Sequence, residues 1–200
     1  MTVTPLERSD AGTAGDVLAR AFADNPGMLA LSPGDDHEAR ERLLRPCMVG
    51  FVEGMLKHGV VEVVRDGPRI LGVALTVAPG GYPPPLFAQL AMARAPLMTG
   101  LRRAGRFARL DSETRRRHPR FPHWYLWFLG IDPEHQGKGL GSELLRHLSA
   151  RADADRVPCY LETDKASSVR LYEKHGYRVE SEARLPVLDV QFWFMQRPGA

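Results

Sequence analysis

The stretch Leu129-Gly130-Ile131-Asp132-Pro133-Glu134-His135-Gln136-Gly137-Lys138-Gly139-Leu140-Gly141-Ser142 decides how the chain folds. It leaves an apolar, aromatic-rich segment that begins at His123, turns at Asp132-Pro133 and passes three glycines spaced two apart. It then enters a segment in which Leu144, Leu145 and Leu148 recur at helical spacing. The reading is strand, loop, helix. Glycines let main-chain amides come close to an anion, and a helix start adds unpaired N–H groups and the positive end of a dipole. The segment is therefore a candidate pyrophosphate cradle, with Lys138 adding a cation.

Downstream, the pattern predicts a helix over 139–152, a strand over 157–162 and a helix over 166–175 closed by Gly176. Strands follow over 177–184 and 187–195. Upstream, a strand over 3–6 precedes Ser9 and Asp10, which are placed to cap a helix carrying Val17, Leu18, Ala21 and Phe22. Asn25-Pro26-Gly27 reads as the turn that ends it, and Pro46 as a kink or break in a second helix over 38–57. Asp66-Gly67-Pro68 joins β-branched runs over 60–65 and 69–77 into an antiparallel hairpin. A Pro- and Gly-rich loop over 79–85 leads to a helical pattern over 86–118. One strand-helix-strand unit among hairpins implies an α+β fold in one domain, 1–200. Its sheet is mixed and mostly antiparallel, with one parallel crossover and flanking helices.

Composition sets the outer bounds. Of 200 residues, 44% are hydrophobic and 26% charged, which excludes a disordered chain, and no repeat is present. A net charge of +3 does not by itself point to nucleic acid, and the arginines over 102–120 read as the solvated face of a helix. Cys47 and Cys159 lie far apart with no ligand-spaced partner, so no metal site or redox pair is expected. No cationic start followed by an apolar core and no long apolar run is seen. The expectation is a cytoplasmic protein without membrane association, monomer or homodimer.

Three phosphate-binding patterns compete for the glycine loop. A Walker loop fails because Asp132 stands where its first Gly belongs and Lys138 is followed by Gly139. A dinucleotide turn fails because Gly137, Gly139 and Gly141 are evenly spaced, and five residues precede the first of them. The pattern Gln, two residues, Gly, one residue, Gly is met by Gln136, Gly139 and Gly141. It resembles the acyl-CoA loop of the GNAT acetyltransferase superfamily. Tyr160-Leu161-Glu162-Thr163 and Leu171-Tyr172-Glu173-Lys174-His175-Gly176-Tyr177 resemble that superfamily's second motif. The likeness is dense from Trp124 to His175; Ala21-Phe22-Ala23-Asp24 followed by Pro26, with Met195, Arg197 and Pro198-Gly199-Ala200, resembles puromycin N-acetyltransferase and its actinobacterial relatives.

The resemblance implies acetyl-CoA as cosubstrate, no metal, and direct transfer to an amine. Main-chain groups of Leu129 and Ile131 would pair with the pantetheine arm. Gln136, Gly137, Lys138, Gly139, Leu140, Gly141 and Ser142 would form the pyrophosphate loop. Tyr172 would be the general acid for the departing thiolate, and an N–H near Ile131 would polarise the carbonyl. Two positions depart from the pattern. Ser168 replaces the usual Asn that contacts CoA, and Tyr125 stands where protein-acetylating members often carry a Glu base. The base is thus left among Glu162, Asp164 and His123, and Tyr125, Trp127 and Glu162 are candidate substrate contacts. The expected acceptor is a primary amine on a small molecule, with an antibiotic or aminonucleoside among the candidates. Protein N-termini or lysines, and a non-catalytic acyl-CoA sensor, are the alternatives.

Overall fold

The computed structural model describes residues 1–85, Gln89 and 100–199. The described strands are β1 (Thr2–Pro5), β2 (Val60–Asp66), β3 (Arg69–Val77), β4 (Trp124–Ile131), β5 (Cys159–Thr163), β6 (Arg178–Leu185) and β7 (Val190–Arg197). They form one sheet in the order β1-β2-β3-β4-β5-β7-β6, antiparallel throughout except for β4 beside β5. The helices are α1 (Ala11–Phe22), α2 (Pro26–Leu31), α3 (His37–His58), α4 (Leu101–Arg115), α5 (Leu140–Asp155) and α6 (Ala166–Glu173). None of the described helices is long and apolar enough to cross a membrane.

Both sheet faces are covered, which explains why β3 reads as a continuous apolar run. Val73, Leu75 and Val77 join Val17, Leu18, Met48 and Val52 in one core beneath α1 and α3. Leu71 and Ala74 point the other way, to Leu144, Leu145 and Leu148 of α5. Two irregularities in β4 shape the middle of the sheet. Leu75 pairs with Phe128 and Thr76 with Leu126, so Trp127 is an extra, unopposed residue, a bulge that re-aims the side chains around it. On its other side β4 pairs with β5 only at Trp124, Tyr125 and Leu126, although it continues to Ile131. The two strands therefore splay beyond Leu126.

Several local expectations are corrected. Asp10 precedes α1 but its side chain makes no capping bond; its carboxylate instead binds Arg65 at 2.6 Å. Asn25-Pro26-Gly27 does not merely end a helix, because Pro26 opens α2. Proline suits that first position, where its missing N–H has no helical partner to lose. Pro46 lies inside α3, which runs past it as one element. The face carrying Leu44, Cys47, Met48, Val52 and Met55 is buried against the core, and that packing outweighs the lost hydrogen bond. Of the helix expected over 86–118, α4 is seen, while 86–88 and 90–99 lie outside the described residues. Gly176 does take the left-handed φ of +83° that a helix end favours.

One ion pair ties α1 to the loop after β4. Arg20 donates to Asp132 Oδ2 from Nη2 at 2.6 Å and from Nε at 3.2 Å, and Asp132 is buried. Burial alone would raise the Asp132 carboxyl, but the hydrogen bond and charge of Arg20 outweigh it and hold the group below its ordinary range. Arg20→Met leaves a buried carboxylate without its partner. Urea denaturation is expected to show a loss of about 1–3 kcal/mol, the low end reflecting Arg20's partial exposure.

Candidate active site

The glycine loop is built as a descent from strand to helix. Asp132 accepts from the Glu134 amide at 3.2 Å and so opens a single 3-10 turn, Pro133–His135. Gln136 returns to extended backbone, and its side-chain amide donates to the Ile131 carbonyl at 3.1 Å. Gly137 (φ +76°) and Gly139 (φ +81°) then take left-handed backbone, and Leu140 begins α5. A Cβ at either glycine would meet nothing within 4 Å, so backbone conformation, not crowding, requires glycine there. The open space is also what an anion approaching these amides needs. Lys138 donates to the Glu134 carbonyl at 3.2 Å and is exposed beside the loop. Leu140 and Gly141 are buried at the helix start and Ser142 is half-buried.

Leu129 and Ile131 lie on the part of β4 that β5 has left, one edge facing a widening gap. On the α1 and α3 side of this gap sits a cavity of about 730 Å³. Ser168 and Tyr172 reach it from α6, and Leu129, Tyr125, Trp127 and Glu162 from the sheet. The structure thus brings Tyr172 into one space with all three residues expected to touch substrate. His123 does not line it. Its Nδ1 lies 2.7 Å from the Phe121 carbonyl and its Nε2 3.0 Å from His118 Nε2, so both nitrogens are engaged elsewhere. Burial pushes His118 down to about 3 and His123 below its ordinary value, keeping both neutral.

Glu162 brings a strongly shifted carboxyl to the cavity. Tyr125 donates to its Oε1 at 2.6 Å, while its Oε2 is shut off from solvent with no hydrogen bond among the described residues. Burial pushes the carboxyl up to about 7; the Tyr125 hydrogen bond opposes this and the charge of Asp111 adds to it. Two residues on, Asp164 accepts from the Gly27 amide at 2.6 Å and is also raised by burial. Burial likewise holds the Tyr172 phenol above its ordinary value, and the Asp164 charge adds to the effect. Cys47 lines the cavity too, but burial pushes its thiol up to about 11, so it is not a ready nucleophile.

The helical pattern over 86–118 anticipated α4 but not the face that α4 turns to the cavity. Leu101, Ala104, Ala108, Asp111 and Arg115 recur every three or four residues and face the cavity as one stripe. Five arginines on the same helix (102, 103, 106, 109 and 115) hid that stripe, and only Arg115 of them reaches the cavity. Tyr82, in the loop expected over 79–85, and Phe51, on the helix expected over 38–57, also line the cavity, and no local motif marked either one. Asp132, Glu134 and His135 bring possible ligand atoms within 4.8 Å of one another, but Arg20 and Arg69 pair with the two carboxylates.

Comparison with known proteins follows the same lines. Residues 101–177 match the model of the acetyltransferase (GNAT) family. An uncharacterized N-acetyltransferase of Schizosaccharomyces pombe is 25% identical over 195 residues, 88% of this chain and 74% of its own. The structure of histone acetyltransferase HPA2 and related acetyltransferase from Corynebacterium glutamicum is similar with a TM-score of 0.69 at 27% identity, covering 100% of this chain and 96% of that one. Arylalkylamine N-acetyltransferase 2 from Aedes aegypti has a TM-score of 0.66 at 17% identity, with 98% of each chain covered. The chain therefore has the GNAT fold, and its residues 101–177 carry the sequence pattern of that acetyltransferase family.

Proposed function

We propose that the protein transfers the acetyl group of acetyl-CoA directly to a primary amine of a small molecule. The observation that carries this reading is a single cavity holding a carboxyl raised to about 7 and a protonated phenol, at the mouth of the β4/β5 gap. Protein-acetylating relatives of this fold often place a Glu on the central strand, where this chain has Tyr125. Here the carboxylate stands one strand over, and Tyr125 reaches across to it.

The amides of the Gly137–Ser142 turn and first helical turn hold the pyrophosphate, and the free edge of β4 at Leu129 and Ile131 takes the pantetheine arm as an added strand. Acetyl-CoA supplies the acyl group. Glu162 takes the proton from the acceptor ammonium, since a carboxyl titrating near 7 is ionised often enough to act and basic enough to pull. A main-chain N–H near Ile131 stabilises negative charge on the acyl oxygen. Tyr172 hands its proton to the departing sulfur; burial raises the phenol but penalises a bare thiolate in the same way, so the transfer stays near balance. Ser168 lines the cavity with Tyr172, and its hydroxyl, shorter than the usual Asn, reaches the same arm through water. The likeness of Ala21-Phe22-Ala23-Asp24 and the terminal Arg197-Pro198-Gly199-Ala200 to puromycin N-acetyltransferases supports a small-molecule amine.

Calorimetric titration tests the reading. Acetyl-CoA is expected to bind in the micromolar range, with ATP and NADH far weaker. Gly139→Ala is expected to weaken acetyl-CoA by about 10-fold, because a Cβ in left-handed backbone costs about 1–2 kcal/mol. Equal binding of all three nucleotides, or none, would withdraw the proposal.

A further inference from the structure

If the cavity is the acceptor site of an acetyltransferase, as proposed above, its walls say which amine it takes. Phe51 stacks on Phe128 with ring centroids 5.4 Å apart at 24° and packs on Trp127 at 5.6 Å. Phe22 meets Phe128 edge-on at 5.4 Å and 73°. These rings form a continuous aromatic wall whose exposed faces suit another flat ring. Phe107 faces the same space from α4.

The polar groups are as one-sided as the walls. Glu162 and Asp164 stand at the end of β5, and Asp111 joins them from α4. Among the described residues lining the cavity, the one cationic side chain is Arg115. It is already paired with Asp111 at 2.9 Å and lies over the Tyr82 ring at 5.7 Å. A ligand ammonium therefore finds carboxylates, whereas a ligand carboxylate finds them too and no free cation to offset them. A second or third ammonium along a flexible chain would have to lie against bare rings and methionines, which can repay little of its lost hydration.

We propose that the acceptor is a primary monoamine on a bulky aromatic ring system, carrying no anionic group. The ring packs against Phe51, Trp127 and Phe128, and the ammonium points to Glu162. The volume of about 730 Å³ accommodates a two-ring body together with the reacting end of the acyl donor. Like charge against Glu162 and Asp164, with Arg115 already held by Asp111, excludes amino acids, and the apolar wall disfavours polyamines.

Thiol release at saturating acetyl-CoA, with tryptamine, L-tryptophan and spermidine as acceptors, tests this. Tryptamine and L-tryptophan differ only in the carboxylate, and spermidine lacks the ring. The kcat/KM for tryptamine is expected to exceed both others by about 100-fold, which is about 2.7 kcal/mol. Phe51→Ala should cut the tryptamine value by about 10-fold, and more than it cuts that for spermidine. Phe51→Leu, which keeps most of the packing volume, should move it in the same direction. L-tryptophan or spermidine used as well as tryptamine would overturn the aromatic-monoamine assignment and leave acetyl transfer standing. No thiol release with any of the three would overturn both.

Discussion

Glu162→Gln is expected to lower the rate of acetyl transfer by about 10²–10⁴-fold, the range over which a positioned general base acts, with acetyl-CoA affinity unchanged. The native protein should show kcat/KM rising with pH through about 7, and the variant should lose that limb. Burial sets this value first, and Tyr125 from β4, Asp111 from α4 and Tyr160 from β5 then adjust it. The same substitution should stabilise the fold. The folded protein holds the Glu162 proton more tightly than the unfolded chain does, so this group's contribution is fully present below about 4.5 and lost as pH rises through about 7. Above that range native Glu162 is a half-buried charge with one oxygen shut off from solvent and without a hydrogen bond among the described residues. Removing it should gain about 1–3 kcal/mol at pH 8. A variant that is slower and more stable identifies a residue kept for chemistry; one that is slower and less stable would make Glu162 a packing element.

Tyr172→Phe should give a loss of similar scale by the opposite route. Turnover is expected to fall by about 10²-fold or more, with acetyl-CoA binding unchanged. The ring is kept, so its contact with Tyr177 at a centroid distance of 5.8 Å survives and thermal stability should move little. Because the phenol is held above its ordinary value, no alkaline limb near neutrality should be traceable to it. Undiminished turnover in this variant would take Tyr172 out of the proton path and leave the thiolate to be protonated by solvent.

What the sequence made legible was whatever a short-range rule dictates. The strand-loop-helix at 129–142, the hairpin at Asp66-Gly67-Pro68 and the turn at Gly176 each depend on a few neighbouring residues, and each lies where its chemistry places it. Errors arose where distant packing outvoted a local rule. Pro46 is tolerated because α3 buries a full face, and Asp10 leaves its capping role because Arg65, far along the chain, offers a charge. For the site, the contribution of Tyr172 is a motif, but the state of Glu162 is not. Its carboxyl is shifted by enclosure within a cavity that α4, Tyr82 and a bulge at Trp127 complete, and no local pattern encodes an enclosure. The cavity was opaque for the same reason, being lined by single side chains from many elements.

The parting of β4 from β5 has a consequence for shape selection. Neighbouring strands lie about 4.8 Å apart, so a wedge that begins at that spacing is narrow near Leu126 and widens only gradually. Each strand is held on its far side, β4 by β3 and β5 by β7, so neither can yield to make room. What enters must be slim and unbranched over several bonds, with amide groups to offer the bare edge. The gap is a gauge of cross-section.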